Sequence, residues 1–189
     1  MPMSLPQIGR FNVYNALAAI GAGLALGFDL VTIERGLMKM RPVPGRLEHI
    51  KTSRDFHVYV DYAHTEDALR NVLATVAELT KGRLITVFGC GGDRDTGKRK
   101  PMGEAACEIA DYSILTCDNP RTEDPSEILR QIEEGFPSGA QSRYEVLEDR
   151  GEAIDRALEI AQPGDSVLIA GKGHETYQEF AHTVVPFND

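Results

Sequence analysis

Leu69, Val72, Leu73, Val76 and Leu79 recur at three- and four-residue spacing, which puts them on one face of a helix. Around this stripe the pattern changes to short apolar runs without alternation, at residues 56–60, 84–88, 112–116 and 166–170. Runs of that kind read as strands covered on both faces. Residues 47–50 and 56–60 read as a hairpin turning across 52–55. Helices are expected near 102–110, 126–134 and 152–160, with a weak strand at 145–147. Upstream, an Ala- and Leu-rich helix over 12–26 ends at Gly27 as a C-cap, and a second helix spans about 30–40. Between this pair and the first strand stands Arg41-Pro42-Val43-Pro44-Gly45-Arg46. Two prolines and a glycine cannot continue a helix, so a linker or hinge is expected there.

Strands alternating with helices predict an α/β fold, doubly wound on a mostly parallel, Rossmann-like sheet. The linker divides the chain into a short helical segment, 1–43, and a main domain, 44–189. In such sheets ligands bind beyond the carboxyl ends of the strands. The loops to read are therefore those after Val60, Phe88, Thr116 and Ala170.

The chain of 189 residues carries 29 acidic and 20 basic side chains, a formal charge of -9. That sign argues against nucleic acid and against an anionic membrane surface. The apolar stretch 16–26 is too short to span a bilayer and reads as a helix packed in a core. Cys90, Cys107 and Cys117 lack the number and spacing of a disulfide framework or zinc site, and buried thiols in a reducing cytoplasm are expected. No metal-binding cluster is read from the chain.

Each of the four loops carries polar chemistry. After Thr116 stands Asp118-Asn119-Pro120-Arg121. Pro120 stiffens the turn, and Arg121 offers a planar donor fork suited to a carboxylate. After Val60 come Asp61 and His64, followed by Thr65 as an N-cap with Glu66 and Asp67 in the first helical turn. His64 reads equally as a ligand contact or as a capping or core residue. After Phe88, residues Gly92 to Lys98 match the spacing of a nucleotide-binding P-loop. Arg99 replaces the hydroxyl residue that should follow, and Asp93 and Asp95 would repel phosphates. A glycine-rich turn bringing Arg94, Lys98 and Arg99 over the sheet edge fits better. After Ala170 stands Gly171-Lys172-Gly173-His174-Glu175, whose glycines permit close approach of a ligand. Arginine forks and the Glu175 carboxylate in one site suit a zwitterion, which points to an amino acid.

With these loops in order, the whole chain resembles the Mur ligase family, from Gly9-Arg10-Phe11-Asn12-Val13-Tyr14-Asn15 to Gly171-Lys172-Gly173-His174-Glu175. It is most similar to the members that add meso-diaminopimelate to UDP-N-acetylmuramoyl-L-alanyl-D-glutamate. The resemblance implies a carbon–nitrogen ligase of peptidoglycan precursor synthesis, consuming ATP with Mg2+ through an acyl phosphate. It serves cell-wall growth, shape and division in the cytoplasm. It assigns Arg94, Asp118, Asn119, Pro120, Arg121, Gly171 and Glu175 to diaminopimelate, and Asn12, Asn15, Arg46, Asp61 and His64 to the side facing ATP. It assigns no catalytic residue to this chain. Residues 1–43 then correspond to the helical tail of a central ATPase domain, and 44–189 to the C-terminal, amino-acid-binding domain, shortened at its end. Pro44 and Gly45 would be the hinge.

The family's own P-loop, its UDP-sugar domain and its magnesium-holding carbamylated lysine are not in the sequence. The expectation is a fragment that carries the diaminopimelate loops, lacks ligase activity alone, and needs the N-terminal and central ligase domains as partners. Two alternatives stay open: a P-loop-like kinase or ATPase, and a noncatalytic α/β amino-acid-binding module.

Overall fold

A computed structural model describes residue 5 and residues 7–189. The chain divides into two compact units, one ending at Val43 and one spanning Pro44–Asp189.

In the first unit, α1 (Arg10–Ala25) packs against α2 (Leu30–Met38). Gly27, at a φ of 84°, closes α1 as expected. Asp29 caps α2, its carboxylate accepting from the Thr32 N–H at 2.9 Å. The reading of 16–26 as a core helix is corrected: Leu17, Leu24 and Leu26 are exposed, and Asn12 is the buried residue of α1. The helix is apolar around its whole circumference, and a single partner helix cannot cover all of it.

The second unit follows the predicted alternation. Its strands β1 (Glu48–Ile50) and β2 (His57–Asp61) form the expected hairpin, with His49 opposite Tyr59. Then come α3 (Glu66–Leu79), β3 (Leu84–Phe88), α4 (Arg99–Ile109), β4 (Tyr112–Leu115), α5 (Pro125–Glu133), β5 (Tyr144–Val146), α6 (Arg150–Ile160) and β6 (Ser166–Ala170). The six strands lie in the order β1-β2-β6-β3-β4-β5, and every pairing except that of β1 is parallel. On one face α6 covers Val58, Val60, Ile85, Val87, Ile114, Val167 and Ile169 through Ala153 and Ala157. The Leu69, Val72, Leu73 and Val76 stripe of α3 is buried, and α3 packs on α4. Thr65 caps α3 through the Ala68 N–H, with Glu66 and Asp67 in the first turn.

Helix α4 begins three residues earlier than the apolar pattern suggests, after a 3-10 turn at Thr96–Lys98. A second antiparallel hairpin, β7 (Tyr177–Phe180) with β8 (Thr183–Pro186), was not expected at all. It leans on the Asp118–Arg121 loop through a parallel bridge between Arg121 and Phe180. No helix among the described residues is long and apolar enough to cross a membrane.

Candidate functional site

Because β6 lies between β2 and β3, with β4 next, the loops after these strands open side by side at one sheet edge. The glycine-rich loop after β3 is shaped by its neighbour. A Cβ at Gly92 would lie 1.9 Å from the Pro120 carbonyl oxygen, and the Gly92 N–H donates to the Asn119 carbonyl at 2.9 Å. Only glycine lets the two backbones meet this closely. Asp93 reinforces the seam, accepting from the Thr122 hydroxyl at 2.8 Å and from its N–H at 3.2 Å. These bonds hold the Asp93 carboxyl below the usual carboxylate range.

Residues 92–98 therefore form no phosphate cradle. The Gly97 N–H is taken by Asp95 at 2.8 Å, and Lys98 Nζ donates to the His64 carbonyl at 2.7 Å. The expected arginine cluster is corrected as well. Arg99 is fully buried rather than held over the sheet edge; it pairs with Glu123 at 2.9 Å and donates to Gln131 at 2.9 Å. A buried guanidinium needs such partners, and Glu123 on the adjoining loop supplies the charge.

Arg94 and Arg121 are brought together. Around the point a Gly91 Cβ would occupy, Arg121 Nη1 lies at 3.1 Å and Arg94 Cγ at 3.9 Å. Arg94 is exposed, its Nη1 donating to the Asp93 carbonyl at 2.9 Å. Arg121 has a φ of 51°, a left-handed conformation that costs energy for a residue with a Cβ. The hairpin holds it there: the Arg121 N–H donates to the Glu179 carbonyl at 3.0 Å, and Nε donates to the Glu179 carboxylate at 2.8 Å. Its Nη1 donates to the Gly92 carbonyl at 2.8 Å. One N–H of Nη1 and both of Nη2 are left over, which is the end-on edge of the fork.

Asp118, Asn119 and Pro120 are buried behind it. Asn119 Nδ2 donates to Glu175 Oε2 at 2.9 Å, and its Oδ1 accepts from the Glu179 N–H at 2.9 Å. Burial pushes the Asp118 carboxyl above the usual range, opposed by the charges of Arg150 and Lys172. Gly171, at a φ of 116°, lies against Asp118; a Cβ there would meet Oδ2 at 2.8 Å. The seven residues expected to hold an amino acid thus sit on adjoining loops, with Arg94 and Arg121 beside Gly91 and Glu175 bonded to Asn119.

Three further residues of this site gave no signal in the sequence. Lys172 is buried among Asp118, Asn119 and Glu175. Glu179 holds Arg121, and Gln178 donates to the Asp118 carbonyl at 3.1 Å. Glu179 and Gln178 arrive on the unexpected hairpin.

The residues expected to face ATP divide. Asn12 and Asn15 lie in the first unit, bonded to each other at 3.3 Å, with Asn12 Nδ2 also on the Ile8 carbonyl. In the second unit Arg46 lies 4.8 Å over the Tyr62 ring, and His64 and His174 pack against the same ring at 4.6 and 5.2 Å. Arg46, His64 and His174 are exposed, so a cation and two imidazoles gather around one aromatic ring at the surface. Asp61, expected on the side facing ATP, is buried. Its oxygens accept from the Leu47 N–H at 2.7 Å and the Ala63 N–H at 2.8 Å, so it serves the backbone, tying the start of β1 to the end of β2. Among the described residues no group of three or more His, Cys, Asp or Glu is placed to hold a metal ion. The hinge expectation is corrected at Gly45, where a Cβ would lie 2.2 Å from Gly173 C and His174 N. Gly45 is locked against the Gly171–Glu175 loop.

Comparison with known proteins fits this architecture. Residues 45–173 match the model of the Mur ligase, glutamate ligase domain. The UDP-N-acetylmuramoyl-L-alanyl-D-glutamate--2,6-diaminopimelate ligase of Syntrophomonas wolfei is 49% identical over 187 residues, and that of Geobacillus thermodenitrificans 50% over 189. These alignments cover 99% and 100% of this chain but 38% of each relative, so the chain spans well under half of their length. A solved structure of a ligase of the same name superposes with a TM-score of 0.74 at 45% identity, covering 98% of this chain and 38% of that one. A folylpolyglutamate synthase of Mycobacterium tuberculosis superposes at 0.73 with 23% identity, covering 89% and 39%, which shows a shared fold. Fold, loop order and sequence agree: the chain belongs to the Mur ligase family.

Proposed function

We propose that this chain carries the amino-acid-accepting region of a ligase that joins meso-diaminopimelate to UDP-N-acetylmuramoyl-L-alanyl-D-glutamate in peptidoglycan precursor synthesis. The observation that carries this reading is the pairing of polarities in one site: Arg94 and Arg121 converge over Gly91, and Glu175 stands beside Asn119. Diaminopimelate presents a carboxylate and an ammonium at each end. The end-on edge of Arg121 suits the distal carboxylate in two-point contact, and Glu175 suits an ammonium. Lysine lacks the distal carboxylate and leaves that fork without its ligand.

Arg46, His64 and Tyr62 would lie toward ATP. When bound, ATP supplies the phosphoryl group that activates the D-glutamyl carboxylate; this chain's residues hold the attacking amino acid. Mg2+ would be held by other regions of the ligase. The partners are small molecules and the remaining ligase domains.

The test is calorimetric titration of the chain with meso-diaminopimelate and with lysine, repeated on Arg121→Ala. Binding of diaminopimelate, weaker binding of lysine, and a variant that has lost the difference support the reading. Equal affinity for both amino acids in the unmodified chain would sink it.

A further inference from the structure

Lys172 is fully buried. Its Nζ lies 3.0 Å from Asn119 Oδ1, 3.2 Å from Glu175 Oε2 and 3.7 Å from Asp118 Oδ1, with the Tyr177 ring centroid at 5.5 Å. An ammonium has three donors and no acceptor. Here two donors are taken by Asn119 and Glu175, and the Asp118 carboxylate lies within ion-pair range; all three residues, from two separate loops, are in the set proposed to hold the amino acid. We propose that Lys172 is a positioning residue for the amino-acid substrate: its ammonium holds the Asn119 amide and the Glu175 carboxylate in place beside the Asp118 carboxyl. The inference rests on the diaminopimelate reading of this site.

The geometry shows how. An amide can face a ligand with either end, but an ammonium can only donate, so the end of Asn119 that faces Lys172 must be its oxygen. Nδ2 is then turned to Glu175, where it donates at 2.9 Å to the same Oε2 that Lys172 reaches. One carboxylate oxygen carries both internal bonds. The other, Oε1, accepts from no group among the described residues and is left to take an ammonium. Without the Lys172 cation the Asn119 oxygen keeps only the Glu179 N–H, and Asp118 and Glu175 lose the positive charge they share.

The other charged and titratable groups around Asp118 are few. Arg150 comes from α6, but its Nε and Nη2 are bound to Asp189 at 2.6 and 2.7 Å. Glu175 and Asp189 are anionic and oppose ionisation of Asp118. Tyr62 on the β2 loop and the buried Cys90 and Cys117 also face Asp118, and Tyr177 lies against Lys172. Arg150 remains the larger opposing charge on Asp118 and Lys172 the second, but only Lys172 also bonds Asn119 and Glu175. Loss of Lys172 should carry the Asp118 carboxyl further up.

The test uses the whole 189-residue chain. Affinity for meso-diaminopimelate is measured by calorimetry between about pH 6 and about pH 8, where free Asp and Glu carboxylates do not titrate. Lys172→Met should bind at least about tenfold more weakly than the unmodified chain near pH 7, and the difference between the two proteins should shrink as pH rises. Unchanged affinity, or a loss of one size at every pH, overturns the proposal. If Lys172→Met does not fold, the side-chain ammonium of the unmodified chain is read by nitrogen-15 NMR. A Lys172 signal protected from solvent exchange, and moved by saturating diaminopimelate, is the expected result; its absence or indifference to ligand overturns the proposal. An unmodified chain that binds no diaminopimelate brings down the parent reading as well. Binding with no response at Lys172 brings down this inference alone.

Discussion

Arg121 and Glu179 meet twice: the Arg121 N–H donates to the Glu179 carbonyl, and the guanidinium Nε donates to the Glu179 carboxylate at 2.8 Å. A residue at a strained φ is held by a strand that arrives 58 positions later. The contact takes one edge of the fork and leaves the opposite one.

Glu179 should therefore act as a holder of Arg121. Glu179→Ala is expected to weaken diaminopimelate binding about tenfold, the equivalent of about 1.4 kcal/mol. Glu179→Gln, which still accepts from Nε, should lose less. Tighter binding by the alanine variant in calorimetry would mean that Glu179 competes with the ligand instead.

Gly91 and Gly92 should separate folding from binding. At Gly92 a Cβ would lie 1.9 Å from the Pro120 carbonyl oxygen, so Gly92→Ala must push the two backbones apart. A cost of about 2–4 kcal/mol is expected in denaturant unfolding. At Gly91 the nearest atom is Arg121 Nη1 at 3.1 Å, the mobile end of a side chain. Gly91→Ala should melt within a few degrees of the unmodified chain, yet bind diaminopimelate more weakly. A Gly91→Ala variant with full affinity would show that Arg121 has room to move aside at no cost.

Asp165 supplies a pH signature for the fold. It accepts from the Arg83 N–H at 2.7 Å, from Arg83 Nη2 at 2.8 Å and from the Gln162 N–H at 3.0 Å. Burial works to raise its carboxyl, but these bonds outweigh it and hold the group below the usual range. A carboxyl lowered by folding contributes stability above its unfolded pKa and loses it as pH falls through the folded value. Asp165→Asn should cost about 2–4 kcal/mol near pH 7. The gap between the two proteins should narrow below about pH 4 in denaturant melts. A gap that stays constant down to about pH 2 would contradict the assignment.

Cys90 and Cys117 should be silent to thiol reagents. Burial pushes both thiols up to about 12, which removes the reactive thiolate at ordinary pH. Labelling by iodoacetamide near pH 8 should leave both untouched in the folded chain and modify them in guanidinium, as read by peptide mass mapping.

The sheet was legible because its determinants are local. The β3 run, four apolar residues around Thr86, and the α3 stripe each announce their own burial. The Asp118–Arg121 loop was legible for a related reason: proline and asparagine at a strand end restrict the backbone by themselves. What stayed hidden depends on distant partners. Arg99 and Lys172 are charged residues flanked by polar or glycine neighbours, and such residues are ordinarily exposed. Their burial follows from Glu123 and from Asn119, 24 and 53 positions away. The β7–β8 hairpin lacks strong alternation and takes its place by pairing with the Arg121 loop. Helix α1 misled in the opposite direction, since apolar content alone does not say whether a partner covers it.

Gly45 gives the fold a mechanical property. Its backbone presses on Gly173 and His174 with no space for a Cβ, and its N–H donates to Glu48 at 2.8 Å. A swivel here is blocked, so torsion in the connector falls to Arg41, Pro42 and Val43, which belong to no helix or strand. Gly45 behaves instead as the fixed end of a lever seated on the loop of Lys172 and Glu175. Displacing Gly45 therefore displaces the loop that carries Lys172 and Glu175.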